Sequence, residues 1–185
     1  ISLTGWDKVT HFNNGYAAVS NEEGKSIIID KNYNKVCTVN YEVVTCLSGD
    51  RFIVKKNSKY GMVDKAGKII HKADWESYGD LKYLNSPIKM YFSKSNWSTG
   101  TQYGLIGTSD KLVCNTSWDA FMDYDDGLLM VRRDNKWGLI DPAKDKIVVT
   151  PQFEDISYIC TENGESIWRV LKNNKNGIIA IKKSR

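Results

Sequence analysis

Long apolar stretches are missing from this 185-residue sequence. Nothing approaches the roughly 20 consecutive apolar residues that a membrane-spanning helix requires. No charged-then-apolar leader opens the chain, so the start at Ile1 reads as a trimmed or processed boundary. Charge of one sign is scarce as well: the net +4 is far short of a polybasic nucleic-acid arm. Histidine is limited to His11 and His71, with no Cys or carboxylate at a metal-binding step from either. Cys37, Cys46, Cys114 and Cys160 include no CxxC pair and are too sparse for a disulfide framework, so they read as reduced, structural thiols. GxSxG, HExxH and P-loop patterns are also missing. No catalytic residue, metal ligand or cofactor site is therefore assigned.

What is present is a phrase that recurs. Lys136-Trp137-Gly138-Leu139-Ile140-Asp141 returns as Lys59-Tyr60-Gly61-Met62-Val63-Asp64 and as Gln102-Tyr103-Gly104-Leu105-Ile106-Gly107. It fades to Ile28-Ile29-Asp30 near the start and to Lys175-Asn176-Gly177-Ile178-Ile179 near the end. From Gly61 the steps to Gly104, Gly138 and Gly177 are 43, 34 and 39 residues, a unit of about 34 with insertions in two copies. Such periodicity marks supersecondary units that are each too small to bury an apolar face alone.

Three apolar runs of strand length fill each unit. The first is Tyr16-Ala17-Ala18-Val19, Arg51-Phe52-Ile53-Val54, Lys89-Met90-Tyr91-Phe92, Leu128-Leu129-Met130-Val131 and Ile167-Trp168-Arg169-Val170. The second is the aromatic-glycine phrase, and the third includes Lys68-Ile69-Ile70-His71 and Lys146-Ile147-Val148-Val149. Short β-branched and aromatic runs bounded by Asn, Asp, Ser and Gly predict antiparallel hairpins. In the turn Asp64-Lys65-Ala66-Gly67-Lys68, the Asp is suited to bond its own following backbone and Gly67 to take a positive φ. Cys37, His71, Cys114 and Val148 share one position in the third run, which reads as an interior packing slot. An aromatic-acidic corner follows that run: Tyr41-Glu42, Trp75-Glu76, Trp118-Asp119 and Phe153-Glu154, with Trp6-Asp7 matching it at the start.

These patterns predict an all-β chain of tandem three-stranded antiparallel meanders. The units span residues 12–44, 45–78, 79–121, 122–156 and 157–183, with residues 1–11 completing the last. That offset favours a propeller-like ring slightly over an open β-solenoid.

The phrase resembles the WG-repeat family of bacterial tandem repeats. The best copy carries Asp125-Asp126-Gly127-Leu128, Lys136-Trp137-Gly138-Leu139-Ile140-Asp141, Lys146-Ile147-Val148 and Pro151-Gln152-Phe153-Glu154. Two copies place Tyr for Trp, the first lacks the Gly, and the last lacks both Trp and Asp. The resemblance implies an interaction module in a bacterial protein, cytoplasmic or of the cell envelope, and supplies no catalytic residues. A large ring beside a glycine lets strands approach closely, so Trp137, Tyr60 and Tyr103 are expected in the core.

Two features rise above this scaffold. The tips between the first and second runs are basic, with Lys55, Lys56 and Lys59, then Arg132, Arg133 and Lys136, then Lys172 and Lys175. Aligned tips form a stripe for an anionic glycan or, less readily, nucleic acid; alternatively they are ordinary solvated turns. The inserted tip 93–101 carries Trp97, either an anchor for a sugar or protein or a ring folded back onto a neighbouring unit. Asp123-Tyr124-Asp125-Asp126-Gly127 has the look of a calcium loop, but its place in the repeat is a turn. The reading is a non-catalytic binding or scaffolding module. The alternatives are a hydrolase or lyase built from Glu76, Asp119 and Glu154, and a passive spacer for a catalytic domain. Far-ultraviolet circular dichroism should show helix well below the roughly one-third typical of globular proteins.

Overall fold

The computed structural model describes residues 4–47, 50–80, 88–98, 100–107, 110–123 and 127–182. All regular structure among them is β. Nineteen strands run in chain order. β1 (Lys8–Val9), β2 (Tyr16–Ser20), β3 (Ser26–Asp30) and β4 (Lys35–Val39) form the first sheet. β5 (Glu42–Leu47), β6 (Arg51–Lys56), β7 (Lys59–Asp64) and β8 (Ile69–Trp75) form the second. The third holds β9 (Ser77–Asp80), β10 (Ile88–Asn96), β11 (Gly100–Gly107) and β12 (Leu112–Trp118). The fourth holds β13 (Ala120–Asp123), β14 (Leu129–Arg133), β15 (Lys136–Asp141) and β16 (Lys146–Phe153). β17 (Asp155–Glu162), β18 (Glu165–Lys172) and β19 (Lys175–Lys182) make the fifth. Each is an up-and-down antiparallel meander.

The repeat is thus a four-stranded sheet in four of its five copies, where the sequence predicts three strands. The added strand follows the aromatic-acidic corner, so the corner opens a sheet. Trp6-Asp7 accordingly precedes β1, which pairs with β2 through Lys8↔Ser20 and Val9↔Val19. The expectation that residues 1–11 complete the last unit is corrected by this pairing.

Local chemistry fixes the turns. Asn57 and Ser58, Asp134 and Asn135, and Asn173 and Asn174 each supply two successive positive φ values between 50° and 60°. That pattern defines the type I′ turns whose twist suits a two-residue hairpin, and Asn and Asp tolerate it best. After the second run, Asp64 Oδ1 accepts from the amides of Ala66 and Lys68, both at 2.9 Å, and Gly67 takes φ 79°. Asp30 does the same with Asn32 and Asn34. Tyr33 occupies the slot of Gly67 at φ 61°, a costly conformation for a bulky residue, and its ring meets Phe12 edge-on at 5.9 Å.

The glycine of the repeated phrase has a structural task. Tyr60 pairs with Trp75 and Met62 with His71, so β8 carries two extra residues opposite Gly61. β16 repeats this, with Trp137 opposite Phe153 and Leu139 opposite Val149. A Cβ on Gly61 would lie 2.6 Å from the carbonyl oxygen of His71, and one on Gly138 would lie 2.3 Å from that of Val149. The bulge therefore rests its backbone on the glycine. Where the first sheet has Ile27 instead, β4 runs past it without that bulge, through Ser26↔Val39, Ile27↔Thr38 and Ile28↔Cys37. The register also places Val149, rather than Val148, in the slot of His71, because the turn before β16 is one residue longer.

Two compact units result, Ile1–Ser77 and Tyr78–Arg185. In the first, Ala18, Ile28 and Val39 pack against Val43, Cys46, Phe52, Val54 and Val63 of the second sheet. In the second unit, one face of the fourth sheet (Leu129, Val131, Ile140) meets Leu105, Val113 and Trp118. Its other face (Leu128, Met130, Leu139, Phe153) meets Ile156, Trp168 and Val170 of the fifth. Burial on both faces explains why Leu128 to Val131 read as an unbroken apolar run. Trp118 and Trp168 are fully buried, whereas Trp137, Tyr60 and Tyr103 are half-buried. The deep aromatics are Trp118 at a corner and Trp168 in a first run, against the expectation for Trp137.

Replacing Gly138 by Ala should cost about 1–3 kcal/mol, as overpacking against backbone does. Gly177→Ala should be neutral or nearly so, because an added Cβ there meets only Val170 Cγ2 at 3.4 Å. Urea unfolding midpoints of the two variants compare the cases directly.

Candidate binding surfaces

The corner carboxylates are committed to turns. Asp7 accepts from the Glu22 amide at 2.8 Å, and Asp119 from the Asp134 amide at 2.8 Å. Glu154 accepts from the amides of Asn173 and Asn174 at 3.2 and 3.3 Å, and pairs with Lys136 at 3.2 Å. Glu76 pairs with Lys59 at 2.9 Å, and Glu42 with Lys8 at 2.8 Å. Each acid therefore ties its corner to a nearby turn or strand. The two backbone amides, foremost, and then Lys136 hold the Glu154 carboxyl below its ordinary value of 4.5.

The basic tips are engaged with the aromatics. Lys55 lies directly across the strand pair from Tyr60, its Nζ 5.4 Å from the ring centroid. Arg132 repeats this over Trp137 at 5.6 Å. The next residue along each tip covers the aromatic of the preceding corner: Lys56 over Tyr41 at 5.5 Å, Arg133 over Trp118 at 4.3 Å, and Lys172 over Phe153 at 5.8 Å. Arg133 also donates to the Ser117 carbonyl at 2.9 Å and to Thr116 Oγ1. Lys172 donates to Gln152 at 2.7 Å. Such contacts contribute about 0.5–1 kcal/mol at exposed sites. The sequence gives no hint of the pairing, because each partner lies roughly one strand or one sheet away.

One tip opens onto a concavity. Tyr41, Lys56, Asn57, Lys59, Ile69, Lys72 and Ala73 line a shallow pocket of about 410 Å³ within the first unit. Three lysines around a tyrosine ring, with Glu76 offsetting one of them, present an apolar floor under positive charge. That combination suits an acidic sugar or an acidic side-chain cluster.

Trp97 stands at the end of a lengthened hairpin. The β10–β11 ladder continues past Ser93↔Tyr103 through Lys94↔Gln102 and Ser95↔Thr101 to Asn96↔Gly100. The equivalent fourth-sheet ladder stops one pair beyond Arg132↔Trp137. Two extra pairs lift the tip by about 7 Å at strand rise. Trp97 at its end is 101% exposed, so the ring does not fold back onto a neighbouring sheet.

The remaining candidates are scaffold. The four cysteines are free. Cys37 and Cys114 pack beside the cores, and burial pushes the thiols of Cys46 and Cys114 up to about 11. Among the described residues no group of three or more His, Cys, Asp or Glu side chains is placed to hold a metal. Residues 124–126 of the calcium-like segment lie outside the described residues. No helix among them is long and apolar enough to cross a membrane.

The geometry defines a class, tandem antiparallel meanders clamped sheet to sheet by corner residues. The sequence model of the WG containing repeat matches residues 103–137 and 137–175. No curated protein matches the chain. Among solved structures, BamB from Moraxella catarrhalis is similar at 10% identity and a TM-score of 0.35, over 92% of this chain and 75% of that one.

Glu154 offers a test of the clamp. Its depressed carboxyl contributes stability that is complete above about pH 4.5, the unfolded value, and is lost as pH falls through the lower folded value. Melting temperature should therefore drop on acidification below that point. Glu154→Gln should lower it at pH 7 and flatten the acid slope, and an unchanged slope would remove Glu154 from the account.

Proposed function

We propose that the chain is a non-catalytic binding or scaffolding module whose partner is a protein or an anionic glycan. The observation that carries this reading is Trp97, a fully exposed indole on a hairpin that extends beyond its counterparts. An indole held in water costs solvation that the fold does not recover, and aromatic anchors are enriched at binding hot spots. The lysine-lined pocket around Tyr41 supports the anionic component of the partner. The committed corner carboxylates support the non-catalytic reading over a hydrolase or lyase, since Glu76, Asp119 and Glu154 each already serve a turn or a lysine.

Trp97→Ala should leave stability within about half a kcal/mol while weakening binding by about 2 kcal/mol or more. Wild type and variant, compared side by side on a glycan array and in pull-downs, provide the measurement. Lys56→Gln with Lys72→Gln should selectively reduce retention on heparin at low salt, because each anionic contact displaces counterions. Equal hits and equal retention for all three proteins would overturn the reading.

A further inference from the structure

The pocket beside Tyr41 is a place where the second sheet departs from the repeat. Lys72 and Ala73, whose backbone lies over Gly61, both line this cavity of about 410 Å³. The fourth sheet builds the same bulge over Gly138, with Thr150 and Pro151 where the second sheet has Lys72 and Ala73. Its hairpin tip places Arg133 and Asp134 at the positions of Lys56 and Asn57, and the ring beneath that tip is Trp118 instead of Tyr41.

These exchanges act in two directions. Tyr for Trp and Ala for Pro remove bulk, so Tyr41 is half-buried where Trp118 is fully buried. Asn for Asp and Lys for Thr raise the charge: Lys56, Lys59 and Lys72 stand where the fourth sheet has Arg133, Lys136 and the opposing Asp134. Glu76 offsets Lys59 just as Glu154 offsets Lys136, which leaves Lys56 and Lys72 as the surplus. Arg133 is tied to the Ser117 carbonyl and Thr116 Oγ1, whereas among the described residues Lys56 contacts only the Tyr41 ring and Lys72 makes no ion pair. Ile69 adds an apolar side chain to the lining and is 46% exposed. Residues that served the scaffold alone would follow the repeat, and a bulge is a place where side chains are re-aimed for other purposes.

We propose that this pocket is a subsite for a carboxylated sugar, a hexuronate residue of an acidic glycan. The inference rests on the binding reading above and names the chemistry of its anionic component. A hexuronate presents an apolar C–H face, a ring of hydroxyls and one carboxylate. Ile69, Ala73 and the Tyr41 ring suit the face, the Asn57 amide suits the hydroxyls, and Lys56 and Lys72 suit the carboxylate. Lysine's compact ammonium with rotatable donors serves carboxylate and hydroxyl alike, without the fixed fork of Arg133. A glutamate side chain would satisfy the lysines but cover little of the apolar wall, and a neutral sugar would leave the two cations unmatched.

The probe is tetragalacturonate, titrated calorimetrically into the whole chain at low salt. Charge-matched tetraglutamate, acetylated and amidated at its ends, and uncharged cellotetraose are run beside it. Tetragalacturonate should bind saturably and about tenfold or more tighter than either comparator. Lys72→Thr with Ala73→Pro installs the fourth sheet's residues on the same bulge, and Asn57→Asp installs its tip residue. Each variant should weaken binding about tenfold or more with unchanged melting temperature, and Asn57→Asp carries the test if the double variant is destabilised. Lack of saturation at a concentration on the order of 1 mM overturns the proposal. Equal affinity for tetraglutamate or cellotetraose, or equal affinity of Asn57→Asp and wild type, overturns it as well. The Trp97 comparison separates the two levels: absent uronate binding with that contrast intact removes the subsite alone, whereas equal hits there remove the reading beneath it.

Discussion

The contact on which the rest depends is backbone against glycine. A carbonyl of the fourth strand can lie over Gly61 or Gly138 only because no Cβ stands there. That contact lets the strand bulge, and the bulge brings the corner aromatic opposite the ring of the phrase: Trp75 to Tyr60, Phe153 to Trp137. The acid after the corner is then within reach of the next hairpin, where Asp119 and Glu154 accept from tip amides. One missing methyl group thus links strand pairing to sheet-to-sheet attachment. In the first sheet the pair is Ser26 and Ile27, and a different device holds the corner. The Ser26 hydroxyl donates to the Tyr41 carbonyl at 2.6 Å and accepts from the Val43 amide at 3.0 Å.

Apolar burial supplies the stability and the polar clamps supply the geometry. Each sheet with neighbours on both faces buries two rows of side chains, and a deep Trp such as Trp118 carries about 3–5 kcal/mol against truncation. The corner carboxylates and tip cations are exposed or half-buried, within reach of solvent, so each contributes little by itself. They recur at equivalent positions, however, and fix how far one hairpin turns relative to the next. A cation over a half-buried ring also shields the ring from water, which is why Arg132 and Trp137 are better described as one unit than as a charge and a core residue.

Local features were legible in the sequence. The hairpin tips, the aspartate that bonds its own turn and the positive φ at Gly67 follow from a few adjacent residues, and the structure shows them as expected. The strand after the corner was not legible, because Ser77–Asp80 and Ala120–Asp123 are four residues long with little apolar pattern. The depth of Trp118 relative to Trp137 depends on a bulge that no residue pattern announces. Tyr33 in a slot otherwise held by Gly67, Asp110 and Asp145 is a local rule broken, visible only once the turns are superposed by register. Among candidate binding residues, Trp97 was legible as an insertion without a core to join. The engagement of Lys56 with Tyr41 and of Arg133 with Trp118 was not, since it joins residues of successive corners and tips.

The nearest-neighbour layout of the strands has a kinetic consequence. Every ladder joins strands consecutive in the chain, so the entropy of closing each loop is small and hairpins are free to form independently before sheets dock. Assembly of this kind behaves as a one-dimensional chain of coupled steps, in which an interior sheet is held from two sides and a terminal sheet from one. Within the second unit the fourth sheet is held on both faces, and the fifth sheet docks on it through Trp168 and Val170, so opening of the fifth is a separate step from opening of the fourth. Within that unit, opening of the fifth sheet would uncover Leu128, Met130 and Leu139 while the opposite face of the fourth sheet stays packed on Leu105, Val113 and Trp118.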